Sequence, residues 1–375
     1  IMDIYERRRA FQNPNMTSHQ LINKVMGEYK NIKYKINVPN EPIGEFILQY
    51  NETDWEFLKR FLSRYNEGIM VSMQSGKPKV FFGPPEIEVK SKNHIKNYTV
   101  YKDLNRYNDM KNNYKKAIKD TDFITYRVKM NEIFNVGENL SHIGRKFYIK
   151  SLIYELKDSR LEAIYDLSPR GGLTEKRLYN SKVIGISING SILGVNRDKV
   201  KVKLEIDNSS DNSYWFPYST VAASPDGGGW YCMPEIGEKV RIYCPTKEEK
   251  KAIAISAIGS HNPKSKGKND RMSNPSIKSL KTDSGQEVKF TPTGVLIECN
   301  GGNAKIELNK NGSVNVIGQK NINIACAEEL SLRAENELSI LGQKSIDILC
   351  ESGSSLIMDE SEEITFTGTR VHNNG

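Results

Sequence analysis

Ile306-Glu307-Leu308 is followed, at steps of eight, by Val314-Asn315-Val316, Ile322-Asn323-Ile324, Leu330-Ser331-Leu332, Leu338-Ser339-Ile340 and Ile346-Asp347-Ile348. The second apolar row runs on to Leu356 and Ile364. Apolar, polar, apolar is the alternation of a short half-buried strand. The next position on the same face is mostly small: Gly318, Cys326, Ala334, Gly342 and Cys350. The rest of each octad is polar and turn-like.

A period of eight bears on the architecture. Eight extended residues reach only about 26 Å, whereas solenoids that close a turn around their own core use roughly 20 residues or more per repeat. Two apolar residues per octad make a narrow stripe, which one chain cannot bury. Three chains, each supplying a wall, can. Residues 283–370 therefore read as an intertwined, triple-stranded β-helix whose Ile, Val and Leu point at a common axis. Each strand would pair with neighbouring chains, leaving no exposed edge along the shaft. The competing reading is an antiparallel sandwich with coincidental spacing, and the run of linked matches speaks against it.

The chain has 375 residues with 54 Lys/Arg and 46 Asp/Glu, a formal net charge of +8. That sum hides a division. Residues 281–375 hold 8 Lys/Arg against 14 Asp/Glu, and residues 1–280 hold 46 against 32. A basic body is joined to an acidic tail, both expected as solvated surface. The join, 261–282, is polar with Pro263, Gly267 and Pro275, and reads as a linker. Five Cys are too few for a disulfide scaffold, and no CxxC pair suits a zinc ribbon. The first residues, Ile1-Met2, lead to the expectation that the chain is a piece of a longer product.

Residues 181–260 alternate in short runs: Val200–Leu204, Val240–Cys244 and Ala252–Ile255. Asn189-Gly190, Asp226–Gly229 and Ile236-Gly237 separate them as turns. About five strands in under 80 residues suit an OB-fold barrel, with Trp215 and Trp230 in its core or mouth. OB barrels often bind nucleic acid through aromatic platforms in a basic groove, which the basic body permits and the acidic tail opposes.

Trp215-Phe216-Pro217, Gly229-Trp230 and Met233-Pro234-Glu235-Ile236-Gly237-Glu238-Lys239-Val240 resemble the OB domain of contractile-injection spike proteins. These are the VgrG proteins of type VI secretion and the cell-puncturing spikes of contractile phage tails and tailocins. Trp215, Gly229, Trp230, Pro234, Gly237 and Val240 carry that resemblance. A barrel followed by an octad β-helix has the family's order, and Phe46–Leu58 looks like its hub. The resemblance implies a hub over 1–180, an OB barrel over 181–260, the needle over 283–370 and a tip over 371–375. The expected fold class is mainly β with an α+β N-terminal part.

The hub also reads directly from its residues. Thr17-Ser-His-Gln20 and Thr53-Asp-Trp-Glu56 are capping boxes that open helices. Leu21, Ile22, Val25, Met26 and Tyr29 share one helical face, and Leu58, Phe61, Leu62 and Tyr65 another. Strand-like runs follow at Ile69–Met73, Val80–Phe82, Phe123–Val128, Phe147–Tyr154 and Leu161–Leu167.

No catalytic constellation stands out. His19, His94, His142, His261 and His372 show no metal-binding spacing. Glu328-Glu329 and Glu362-Glu363 could suggest a glycosidase, but they sit in the polar part of the octads. The two dozen residues between barrel and repeats cannot house the lysozyme domain that some spikes of the family insert there. Some family tips bind iron through a His-x-His pair. That pair is absent here, so no cofactor is expected, and His372 is the only candidate tip ligand.

The reading is a non-enzymatic homotrimeric hub-spike protein that docks to a tail tube and baseplate and pierces a target cell envelope. A PAAR-type tip protein is a candidate cap. No specific nucleic acid is expected. The protein would be made in the cytoplasm, assembled into a tail-like particle or secretion apparatus, and driven outward on firing. The alternatives are a cell-wall-degrading spike enzyme and an OB-fold nucleic-acid-binding protein.

Overall fold

A computed structural model describes residues 2–72, 78–90, 97–111, 118–142, 144–157, 160–206, 211–221, 231–256, 274–282, 284–358 and 363–370. Contacts divide the chain into two compact units, Ile1–Ser260 and His261–Gly375.

The first unit opens with β1 (Arg7–Phe11), α1 (Ser18–Met26), β2 (Lys33–Ile36), β3 (Ile47–Glu52), α2 (Asp54–Leu62), β4 (Ile69–Ser72) and β5 (Lys79–Phe82). Both capping boxes form. Thr17 and Thr53 accept from the backbone N–H groups of Gln20 and Glu56, whose side chains reach back to the cap N–H groups. Tyr29 and Tyr65 lie beyond the helix ends, which corrects the longer helical faces read from spacing. The helices stop at Met26 and Leu62, where Gly27 and Ser63 serve as caps.

β3 is buried on both sides, so Phe46-Ile47-Leu48 reads as an unbroken apolar run. β1 and β3 pair antiparallel, with Phe11 opposite Ile47 and Ala10 opposite Leu48. Phe11 and Ile47 pack with Leu21, Ile22, Phe57 and Phe61 beneath the helices. Ala10, Phe46 and Leu48 pack instead into the core of the barrel that follows. One small sheet thus serves two cores.

Next come β6 (Tyr98–Lys102), α3 (Leu104–Lys111), β7 (Ile124–Met130), β8 (Asn139–His142), β9 (Arg145–Lys157) and β10 (Arg160–Ser168). The strands form a five-stranded sheet in the order β6-β7-β10-β9-β8. Its core holds Val128, Phe147, Ile149, Tyr165 and Leu167. Spacing did not reveal α3, which has one buried residue, Met110, and so no apolar stripe to read.

The barrel is β11 (Ser187–Asn196), β12 (Lys199–Leu204), β13 (Trp215–Pro217), β14 (Lys239–Tyr243) and β15 (Ile253–Ser256), ordered β13-β12-β11-β14-β15. A bridge between Tyr218 and Ala254, with the Ser219 N–H donating to the Ala254 carbonyl at 2.8 Å, joins the two end strands. That closure removes the sheet edges. Val200, Val202, Phe216, Val240 and Ile242 fill the interior.

The second unit begins with β16 (Lys278–Lys281), β17 (Glu287–Thr291), β18 (Gly294–Cys299), β19 (Ala304–Asn309) and β20 (Val314–Gly318), a five-stranded antiparallel meander. β16 falls inside the stretch read as linker. Its Leu280 pairs with Val288 across the turn at Gly285, whose φ of 92° suits glycine. β21 (Ile346–Leu349), β22 (Ser355–Met358) and β23 (Ile364–Thr367) form a smaller antiparallel sheet. Residues 319–345 hold no strand. Within the chain, β19 pairs with β20 and β22 pairs with β21 and β23, all antiparallel.

Candidate functional site

The meander gives the apolar rows their geometry. Ile306 faces Val316 and Leu308 faces Val314, so β19 and β20 place two successive octads on one face. All four side chains are exposed. Ile322, Ile324, Leu330, Leu332, Leu338, Ile340, Ile348 and Ile364 are exposed as well, and across the exposed row residues the range runs from 40% at Ile306 to 69% at Ile324. Ile346 and Leu356 are half-buried. Burying one such side chain contributes about 1.5–3 kcal/mol. Repetition along the tail makes covering this stripe a large driving force.

The barrel residues that carried the resemblance are placed by turns and packing. Trp215 opens β13, with Lys201 Nζ 4.8 Å from its ring centroid. Val240 is buried in β14, and Gly237, at φ 92°, makes the turn before that strand. Pro234 lies in the same approach. Gly229, Trp230 and His372 lie outside the described residues, as does the tip segment 371–375.

Sequence reasoning missed a buried ionic joint between hub and barrel. Arg60 on α2 donates through Nε to Glu52 at 2.7 Å and through Nη2 to the second Glu52 oxygen at 2.8 Å. Nη1 donates to Glu249, on the barrel's turn before β15, at 2.5 Å, and Nη2 also reaches the Leu48 carbonyl at 2.8 Å. All three charged residues are buried. Burial works against the guanidinium's charge, but the two glutamates outweigh it and raise its pKa. The only sequence signal was an Arg at a position flanked by core residues of α2, eight residues after Glu52.

A second joint ties β1 to the helices. Asp54 accepts from Arg9 at 2.9 Å, from Gln49 at 2.9 Å and from the Tyr29 hydroxyl at 2.6 Å. Burial and the neighbouring Asp54 push the Tyr29 hydroxyl up to about 12. Both networks are held in place by packing and serve the scaffold. Among the described residues, no group of three or more His, Cys, Asp or Glu is arranged to hold a metal. No described helix is long and apolar enough to cross a membrane.

Comparison with known proteins bears on the two parts of the first unit. Residues 2–86 match the family described as phage tail baseplate hub (GPD). Residues 193–258 match the type VI secretion system/phage-baseplate injector OB domain. The first part of the chain is thus similar to baseplate-hub proteins and the barrel to injector OB domains, and the chain is mainly β. The proteins it resembles are the VgrG and contractile-tail spike proteins.

Solved structures with some likeness include a VgrG-containing complex, "Structure of Francisella PdpA-VgrG Complex, Lidded". That match has 10% identity and a TM-score of 0.44, over 84% of this chain and 63% of that one. The tail protein from Neisseria meningitidis MC58 matches at 10% identity and a TM-score of 0.32, over 45% of this chain and 72% of that one. Comparison with curated proteins found no match.

Proposed function

We propose that this chain is a non-enzymatic, homotrimeric hub-spike protein at the tip of a contractile injection machine. The hub docks to the tail tube and baseplate, the barrel forms a collar, and the octad tail is the needle. Sheath contraction, supplied by other proteins, drives the needle through a target envelope. The particle is assembled in the cytoplasm, and a PAAR-type protein caps the needle.

One observation carries the reading. Downstream of a hub segment and an injector OB domain, two apolar rows repeat every eight residues and stay largely exposed in the single chain. A stripe of that length calls for a partner, and a repeat too short to wrap its own core is satisfied by identical chains around an axis. Paired backbone groups and a dry axis would then stiffen the needle.

The test is the mass of the purified full chain by light scattering. Three chains per particle are expected, and a stable monomer at micromolar concentration would overturn the proposal.

A further inference from the structure

The apolar face of the second unit starts before the octads do. The ladder pairs run Leu280 to Val288, Val288 to Ile297, Ile297 to Ile306 and Ile306 to Val316, side by side on one face. A parallel row runs Phe290, Val295, Leu308 and Val314. A third row is small, with Cys299, Ala304 and Gly318 in register. The opposite face is ionic. Lys289 lies 3.5 Å from Glu287 and 3.7 Å from Glu298, and Lys305 lies 2.7 Å from Glu307. Glu307 also accepts from Asn315 at 3.1 Å. One side of the meander thus carries paired charges, with Glu287 buried among them, and the other side continues the apolar rows of the octads.

The spacing of this face differs from that of the needle. Its apolar pairs begin at Val288, Val295, Ile306 and Val314, steps of seven, eleven and eight. Beyond Val314 every step is eight until the second row ends at Ile364. A strictly repeating stripe has a register problem. If one chain slides by an octad against the other two, every internal contact is replaced by a near-identical one, and only contacts at the ends are lost. Register is well specified only where the pattern differs from a shifted copy of itself. The meander, with its uneven steps, has that property.

We infer that the β16–β20 meander docks against the same face of two further copies of this chain, and that it sets the axial register of the three chains before the octads zip. This rests on the trimeric reading above. The occupant is a second copy because the face is continuous with the octad rows: Ile306, Leu308, Val314 and Val316 belong to both.

The experiment uses full-length chains with two different tags, co-expressed. One chain keeps Cys326, and the other carries Cys326→Ser and Ala334→Cys, which moves the thiol by one octad. After mild oxidation, mass spectrometry measures mixed 326-to-334 links relative to Cys326-to-Cys326 links. The native meander sets the baseline ratio. Val295→Ala with Ile297→Ala, on the apolar face, should raise that ratio several-fold. Leu296→Ala, between them on the ionic face, should leave it at baseline and so controls for general loosening of the sheet. An unchanged ratio in the Val295/Ile297 variant overturns the inference, as does an equal rise with Leu296→Ala. Monomeric native chains would instead overturn the trimeric reading, so the two failures are distinguishable.

Discussion

Arg60 shows how much can rest on one side chain. Its guanidinium is shared between a hub glutamate on its own side and a barrel glutamate 189 positions away. Removing a partner from a buried ion group leaves uncompensated charge, at a cost of about 3–5 kcal/mol. Arg60→Met should therefore destabilise the first unit by about that amount, read as a lower denaturant midpoint. Restoring neutrality with Glu52→Gln and Glu249→Gln in the same chain should recover part of the loss. Tyr29 makes a prediction about pH. Its pKa is raised in the fold to about 12 from an ordinary value of 10.0, so the folded state favours the neutral hydroxyl. The stability it contributes is fully present below pH 10 and is lost as pH rises from 10 to 12. Tyr29→Phe should flatten that alkaline decline in a denaturation series, at the expense of the hydrogen bond to Asp54 at lower pH.

At the scale of elements, the strands divide by what covers them. β3 has two covered faces, and the β11–β15 barrel covers its own interior. The β16–β20 meander has one ionic face and one bare apolar face. The octads from Ile322 to Ile340 are not strands at all in the single chain. Isolated strands are marginal in water without neighbours and a covered face. Ile340→Asp tests what the octads need. Three like charges on one axis are severely costly to bury, so this variant should fail to assemble as a trimer in light scattering. Its first unit should still unfold with the native midpoint, because that unit has its own cores.

On the scale of the whole molecule, the legible parts were those whose signal is local. Both capping boxes and the central barrel strands could be read directly, because each depends on residues within a few positions of one another. The octad rows were legible for the same reason, since a period needs no tertiary knowledge. Other features were not legible, among them short strands of the first unit such as β1, β2, β6 and β8. α3 lacks an apolar stripe, β16 is a short polar strand paired across a turn, and the Arg60 joint spans most of the first unit. Of the residues that carried the family resemblance, Val240 and Trp215 mark the barrel by its core and its end strand.

The order of hub segment, OB barrel and octad repeat was present in the amino-acid sequence, because caps, alternation and period are set by neighbours along the chain. Which face of β3 meets the helices and which meets the barrel was settled only in three dimensions. So were the closure of the barrel between Tyr218 and Ala254 and the extension of the apolar face back to Leu280. The first two depend on contacts between segments far apart in sequence, where packing decides among partners that look equally good one at a time; the third is a local hairpin whose polar strand gave no pattern to read.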